Sequence, residues 1–434
     1  MAGGPGQPER NPHDPRMRGF RDRSSVTDVL TRIDERTGAL GPEVVDLLEA
    51  GGRVLAGAVV AGEDVPGFDR AAMDGYAVRG EETFGSSPYN PAVFALKGRA
   101  RPGRACGVAV GPGEAVEIAT GSALPDGADA VVKAESTETD GRRVTVFEPT
   151  PPGRHVGRRG EDITAGTVVL RAGRVLRPQD LGVLSAVGRR EVEVVRRPRV
   201  AVVVTGDELL PPGTPARGCQ IADANSVMLA TLIARDGGTA RVVGPVADVR
   251  DAVRAAVVDA VASSDVVLVS GGSSVGPEDH APGVVGELGE LPFHGVALRP
   301  ASPTGLGYVG GVTVLLLPGN PVSCLCAYDV FGGRLVRLLG GRSGAWPYRR
   351  VDRPLARKLV SVVGRVDYAR VRLQRGRVEP LAISGASVLS STTRADGFVV
   401  VPADLEGYAE GAVVGVWLYD IEENTSAEDA EERR

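Results

Sequence analysis

The sequence predicts a multidomain chain in which a mostly parallel α/β sheet stands between β-rich segments. Three observations predict it. At 434 residues the chain is longer than one hydrophobic core ordinarily serves. Apolar runs at 199–204 (RVAVVV), 265–269 (DVVLV) and 312–317 (VTVLLL) alternate with amphipathic stretches, as parallel strands covered by helices on both faces require. Elsewhere short strands are cut by Gly, Pro and Asp. With 59 glycines, 31 prolines and 4% aromatics, the chain favours turns and branched aliphatic packing over a helical bundle.

In chain order, residues 1–24 are rich in Gly, Pro and Arg without an apolar signal core, and are expected to form a disordered leader. A helix is expected from Ser25, where Ser25-Val26-Thr27-Asp28 resembles a capping box and Val26, Val29, Leu30 and Ile33 share a face. A second helix-like stretch follows Pro42, with Val45, Leu47 and Leu48 as candidate core residues. From 53 to 197 short strands take over, at 115–118, 130–133, 144–147 and 168–170, with one helical period near 178–187.

The character changes at Pro198. The strand at 199–204 leads to a helix over 226–235 and a shorter strand at 239–243. Asp248 is expected to cap the next helix, whose apolar face is Val249, Val253, Ala256, Val257 and Ala260. The strand at 265–269, a helix after Pro282, the strand at 312–317 and a helix over 321–339 complete the α/β part. From 350 to 420 short strands return as a small β-barrel-like domain, and the acidic stretch 422–434 is expected to be disordered. The expected domains are therefore 25–65 with 163–197, a β-rich middle domain at 66–162, the α/β domain at 198–343 and a C-terminal β-domain at 344–421.

A net charge of -5 without a sustained basic stripe argues against a nucleic-acid partner. No apolar run approaches the roughly 18 residues of a membrane span. Cys106, Cys219, Cys324 and Cys326 form no C-x-x-C and have no zinc-ligand spacing, so free thiols and a cytoplasmic location are expected.

Chemistry is expected at the carboxyl ends of the parallel strands. Three strand ends carry polar or conformationally special residues: Thr205-Gly206-Asp207-Glu208, Ser270-Gly271-Gly272-Ser273-Ser274-Val275-Gly276, and Pro318-Gly319-Asn320-Pro321-Val322-Ser323. Glycines at a strand-to-helix turn let backbone N–H groups approach an anion, so the second loop is suited to phosphate or another oxyanion. None is a Walker loop, because no Lys-Ser/Thr follows a G-x-x-x-x-G. Acids accompany them: Asp207, Glu208 and Asp279 near the loops, Asp74 in Ala72–Tyr76 and Asp162 in Gly160–Ile163. Acids beside an anion site call for a cation, and magnesium takes carboxylates together with phosphate oxygens. By spacing alone, Asp74 and Asp162 read as solvated turn acids. His280 and His294 read as structural.

Taken together, these residues resemble the MoeA/gephyrin family of molybdopterin molybdotransferases. The resemblance runs from about Ser25 to Asp420. It rests on Val65-Pro66-Gly67-Phe68-Asp69 through Met73-Asp74-Gly75-Tyr76-Ala77-Val78-Arg79, Thr120-Gly121-Ser122-Ala123-Leu124-Pro125, Arg159-Gly160-Glu161-Asp162-Ile163, Thr205 to Leu209, and the other two strand-end loops. It implies a MogA-like α/β domain, a homodimer, and magnesium-assisted insertion of molybdate into adenylylated molybdopterin with release of AMP. A MogA-like adenylyltransferase is the implied supplier of the adenylate. The resemblance makes Asp74, Asp162, Glu208 and Asp279 the expected catalytic acids, with Asp207, Glu208 and Asp279 toward the metal. Asp74, Thr120 and Asp162 would come from the other subunit of the dimer. Asp223 and Asn225 match a further polar motif expected to orient substrate, alongside Thr205, Gly206, Ser270 to Ser274, Gly276, Pro318 to Pro321 and Ser323.

One block departs from the family. Where many relatives carry three lysines, this chain has Gly295, Arg299 and Ser302. Arg299 keeps one charge as a planar fork, and with Ser302 and Arg370 it forms the expected molybdate-binding set; Arg365 is a further candidate for compensation. This departure leaves open a diverged paralogue acting on another pterin or on tungstate, and the resemblance itself leaves open a non-catalytic molybdopterin-binding scaffold, since the family's animal relative also clusters receptors.

Overall fold

A computed structural model describes residues 23–382 and 385–420, which divide into two units, one of residues up to 43 with 195 onward and one of 44–194. The expected leader up to residue 22 and the acidic tail lie outside the described residues. The chain opens with α1 (Val26–Arg36), whose first turn is capped by the Ser25 hydroxyl accepting the Asp28 N–H at 3.0 Å. Its buried face is Val26, Val29 and Ile33. Ser24, just before it, pairs in parallel with Val296.

After Pro42 the expected helix is replaced by a strand, Pro42–Asp46, and a single 3-10 turn, Leu47–Glu49. The reason is local. The burial along Pro42–Asp46 alternates with period two, and the Asp46 carboxylate caps the following turn through the Leu48 N–H at 3.0 Å. Leu48, expected in the core, is 93% exposed.

The unit of residues 44–194 is built on six strands: β1 (Gly75–Val78), β2 (Ala92–Ala100), β3 (Glu114–Ile118), β4 (Ala130–Lys133), β5 (Thr137–Thr139) and β6 (Arg143–Val146). Their order is β4-β1-β3-β2-β6-β5, with β2 and β3 the one parallel pair. Alternate residues fill two clusters, one around Tyr76, Phe94 and Val132 and one around Ala77, Val116 and Val131. α2 (Pro178–Ala186) buries Leu184 in a third cluster with Leu55, Leu176 and Val194.

The α/β part of the other unit comprises β7 (Arg199–Thr205), α3 (Asn225–Arg235), β8 (Thr239–Val246), α4 (Arg250–Ser263), β9 (Val266–Ser270), α5 (Ala281–Leu288), β10 (Glu290–His294), β11 (Leu298–Arg299), β12 (Gly305–Val309), β13 (Val312–Leu317), α6 (Pro321–Ala327) and α7 (Gly333–Leu339). A π turn, Tyr328–Gly332, joins the last two helices. The sheet order is β8-β7-β9-β13-β12-β10: four parallel strands, then an antiparallel pair at the edge. Val200, Val202, Leu268 and Leu315 pack toward α1, α3, α6 and α7, while Ala201, Val203, Val267 and Val314 pack toward α4 and α5. Both faces are covered, which is why these strands read as unbroken apolar runs. Val249, with no side-chain cap bond, occupies the cap position of α4 that Asp248 was expected to fill.

β14 (Arg349–Pro354), β15 (Val366–Gln374), β16 (Arg377–Ala382), β17 (Gly397–Val401) and β18 (Val413–Leu418) form the C-terminal β-domain. The order is β11-β15-β17-β18-β14, with β16 on the other half of β15. Leu355, just past β14, bridges Val378 of β16, so the sheet closes on itself around Val371, Val378, Val399 and Val416. All four thiols are free; Cys219 is exposed, and Cys324 and Cys326 are buried in α6. No helix among the described residues is long and apolar enough to cross a membrane.

Candidate functional site

Because β7, β9 and β13 are adjacent and parallel, their carboxyl ends meet at one edge, and the loops that follow line a single cavity of about 630 Å³. The first loop contributes Thr205, Gly206 and Glu208; the second, Ser270 to Ser274; the third, Pro318, Gly319, Asn320 and Pro321. Asp223 and Asn225 enter from the start of α3, and Asp279 from the approach to α5.

The glycines are there for space. Gly271 has φ +99°, and a Cβ on it would lie 2.3 Å from the Thr205 carbonyl oxygen. Only glycine lets the second turn press against the first strand end. Asn225 ties the second and third loops together: its Nδ2 donates to Ser270 Oγ at 2.9 Å and to the Gly319 carbonyl at 2.8 Å. Two donated bonds fix the amide orientation and leave Oδ1 without a partner among the described residues, as is Thr205 Oγ1. Both side chains are more than nine-tenths buried and both line the cavity. Buried polar atoms ordinarily find a partner, so these two leave hydrogen-bonding capacity open in the cavity wall.

The acids divide into roles. Asp279 accepts the Gly276 N–H at 2.6 Å, closing the second loop while remaining in the cavity wall; Gly276 itself does not line it. Asp223 accepts the Ser226 N–H at 3.0 Å and so fastens the first turn of α3. Asp207 is not in the lining; its N–H donates to the Asp248 carboxylate at 3.3 Å and its carboxylate accepts the Asp248 N–H at 3.1 Å. Asp248 lines the cavity in its place. Sequence reasoning missed this residue by spending it on a helix cap. Pro303, Ser387 and Leu389 were missed as well; the available signal was the small, polar run 384–392 (SGASVLSST). Ser323 is buried on α6, outside the lining. His294 donates from Nε2 to the Ser273 carbonyl at 2.9 Å, and burial lowers its pKa, so the neutral ring props the loop.

The cavity thus presents Glu208, Asp223, Asp248 and Asp279 beside glycine turns and hydroxyls, with no lysine or arginine in its described lining. Among the described residues no preformed cluster of three or more metal-ligating side chains occurs. Magnesium does not need one, since it is commonly held by one or two carboxylates with phosphate oxygens and water. The donor set fits that ion.

In the unit of residues 44–194, Asp74 lies just before β1 and accepts two bonds from Thr120, from its N–H at 2.7 Å and its hydroxyl at 2.9 Å. These bonds, the backbone one foremost, hold the Asp74 carboxyl below its ordinary range. Asp74 borders a shallow cavity with Tyr76 and the Arg99–Glu117 ion pair. Asp162 is exposed and is not in that lining; its N–H bonds the Val65 carbonyl at 3.1 Å.

Family models match nearly the whole described chain: the MoeA N-terminal region (domain I and II) over residues 24–188, a "probable molybdopterin binding domain" over 201–337, and the MoeA C-terminal region (domain IV) over 352–419. Molybdopterin molybdenumtransferase 2 of Mycobacterium tuberculosis is 37% identical over 403 residues, 91% of this chain and 99% of that protein. The chain belongs to the MoeA family. The molybdopterin molybdenumtransferase of Bacillus subtilis is 31% identical, covering 80% of this chain and 82% of that one. A crystal structure of the MoeA protein from Pyrococcus horikoshii matches with a TM-score of 0.80 and 34% identity, over 92% of this chain and 100% of that chain.

Against that family background, the block lacking lysines has a definite arrangement in this MoeA chain. Arg299, on β11, is paired with the buried carboxylate of Asp367, which also accepts the Ser361 hydroxyl at 2.6 Å and lies 3.3 Å from Arg365. The Ser302 hydroxyl donates to the Leu298 carbonyl at 3.1 Å. Arg370 is fully buried on β15. None of the three lines the cavity; Pro303, next to Ser302, does.

Proposed function

We propose that this MoeA chain is a molybdopterin molybdenumtransferase that inserts molybdate into adenylylated molybdopterin and releases AMP, in molybdenum cofactor biosynthesis. The observation that carries the reading is the cavity at the ends of β7, β9 and β13, where glycine turns face four carboxylates without a basic side chain in the described lining. A pyrophosphate in that place needs a cation between itself and the acids. Glu208, Asp248 and Asp279 would hold magnesium, with Asp207 behind Asp248; when bound, the ion neutralises charge at the phosphoryl group.

The N–H groups and hydroxyls from Gly271 to Ser274 bind phosphate oxygens. Asn225, by joining Ser270 to Gly319, holds the second and third loops at one spacing, so phosphorus is fixed for attack. One P–O bond of the pyrophosphate breaks, water supplies the new oxygen, and AMP departs. Molybdate is a substrate: two Mo–S bonds to the dithiolene sulfurs form as one Mo–O bond breaks, and the oxygen leaves with the two thiol protons as water. The working form is a homodimer in which Asp74, Thr120 and Asp162 of one subunit serve the cavity of the other. What supports this is that all three are exposed and unused by the core of their own unit. A MogA-like adenylyltransferase supplies the adenylate, and four free thiols suit a reducing cytoplasm.

The test is AMP release from adenylylated molybdopterin with magnesium, with and without molybdate. Molybdate-dependent release that Asp279→Ala abolishes is the expected result. Tight binding without such release would favour a second reading, a diverged paralogue acting on another pterin or on tungstate. The pairing of Arg299 with Asp367 is the observation on its side, because that charge is already engaged.

A further inference from the structure

We infer that Asp329 is a positioning residue for the cavity, through which the C-terminal β-domain holds the two helices that carry the cavity's turns. Both helices begin in the cavity wall, α3 at Asn225 and α6 at Pro321. Their far ends meet. Arg235, the last residue of α3, lies 3.2 Å from the Asp329 carboxylate in the π turn that continues α6, and 2.9 Å from Asp236. Asp236 also receives Arg337 of α7 at 2.8 Å and the Tyr328 hydroxyl at 3.0 Å.

The C-terminal domain grips the same point. The Tyr348 and Tyr368 hydroxyls donate to Asp329 at 2.8 and 3.0 Å, and the Trp346 indole donates to its carbonyl oxygen at 2.8 Å. Asp329 is fully buried. Packing alone would be served by apolar side chains, since a buried charge network seldom stabilises more than its hydrophobic replacement does. What hydrogen bonds add is direction: they fix where the two helices end, and thereby where Asn225 and the Pro318–Pro321 loop begin. The same β-domain places Ser387 and Leu389 in the lining, so it bounds the cavity at one side and anchors its helices at the other.

The inference rests on this cavity being the ligand site proposed above, but its test uses no ligand and so stands apart from AMP release. Amide hydrogen exchange is followed in the full chain over residues 270–274 and 318–323, in Asp329→Asn, Tyr348→Phe and Tyr368→Phe. The control is Val416→Ala, in the separate core of the C-terminal barrel. Exchange in both loops is expected to rise about threefold to tenfold in the network variants and to stay at the wild-type rate in the control. Unchanged exchange in the network variants, or an equal rise in Val416→Ala, would overturn the inference. The two tyrosine variants keep their rings in place and decide the matter if Asp329→Asn does not fold.

Discussion

Asp279 and Asp74 each accept a backbone N–H at nearly the same distance, 2.6 and 2.7 Å, yet their surroundings differ. Asp279 closes a glycine loop at the edge of a parallel sheet, in a cavity whose wall also holds two buried polar atoms without partners among the described residues. Asp74 sits exposed just before a short strand, and Thr120 supplies it with two bonds. The first region encloses its carboxylate by its own fold. The second has an oriented carboxylate but little enclosure. The comparison teaches that a carboxylate's own geometry says little by itself; the two regions differ in whether the surrounding hydrogen-bonding capacity is filled or left open.

Four measurements break or sharpen that contrast. Asp279→Ala is expected to lower AMP release by at least about 100-fold, the scale on which losing one preorganised polar group acts; a loss of only a few-fold would put the decisive acid elsewhere. Gly271→Ala forces a Cβ to 2.3 Å from the Thr205 carbonyl at φ +99°, and is expected to destabilise the chain by about 1–3 kcal/mol in calorimetry. A neutral outcome would mean that the turn moves freely and is not pressed against β7.

Third, Asp74→Asn and Asp279→Ala, each poorly active alone, are expected to complement when mixed and allowed to exchange subunits. In a two-fold dimer about a quarter of the wild-type activity returns, read as AMP release. No recovery, or a monomer in sedimentation at micromolar concentration, would confine both acids to one chain. The smallest effect is Thr120→Val, which removes the hydroxyl bond and keeps the N–H. The Asp74 carboxyl is expected to rise part of the way back to its ordinary 3.8, followed by NMR titration. Because its folded pKa is depressed, the pair's contribution to stability is present above the unfolded pKa and is lost as pH falls through the folded one.

The parallel strands were legible because burial on both faces leaves few polar residues among the apolar ones, as at 200–204 and 314–317. The antiparallel β12 was not, since Gly305 and Gly307 interrupt its apolar pattern. The structure explains the second of these: a Cβ at 307 would lie 2.6 Å from a Val285 methyl. The stretch after Pro42 misled because two apolar pairs, Val44-Val45 and Leu47-Leu48, carry no period of their own, and Asp46 between them decides the turn. At the site, the three strand-end loops could be read directly, each being a local departure from an apolar run. Asp248 could not, because its meaning depends on Asp207, 41 residues away, and Ser387 reaches the cavity only through the folding of the last domain.

The burial of α6 has a practical side. Its two thiols are sealed, and burial pushes Cys324 up to about 12 and Cys326 higher than its ordinary value too, so neither supplies thiolate near neutral pH. Cys106 is half-buried, with its sulfur 3.5 Å from the Val108 carbonyl oxygen. Cys219 is exposed, two residues before Ile221 in the cavity wall. After the single change Cys106→Ser, a maleimide dye therefore has one place to attach. The chain comes supplied with a fluorescent reporter position two residues from its own cavity wall, where binding can be watched without turnover.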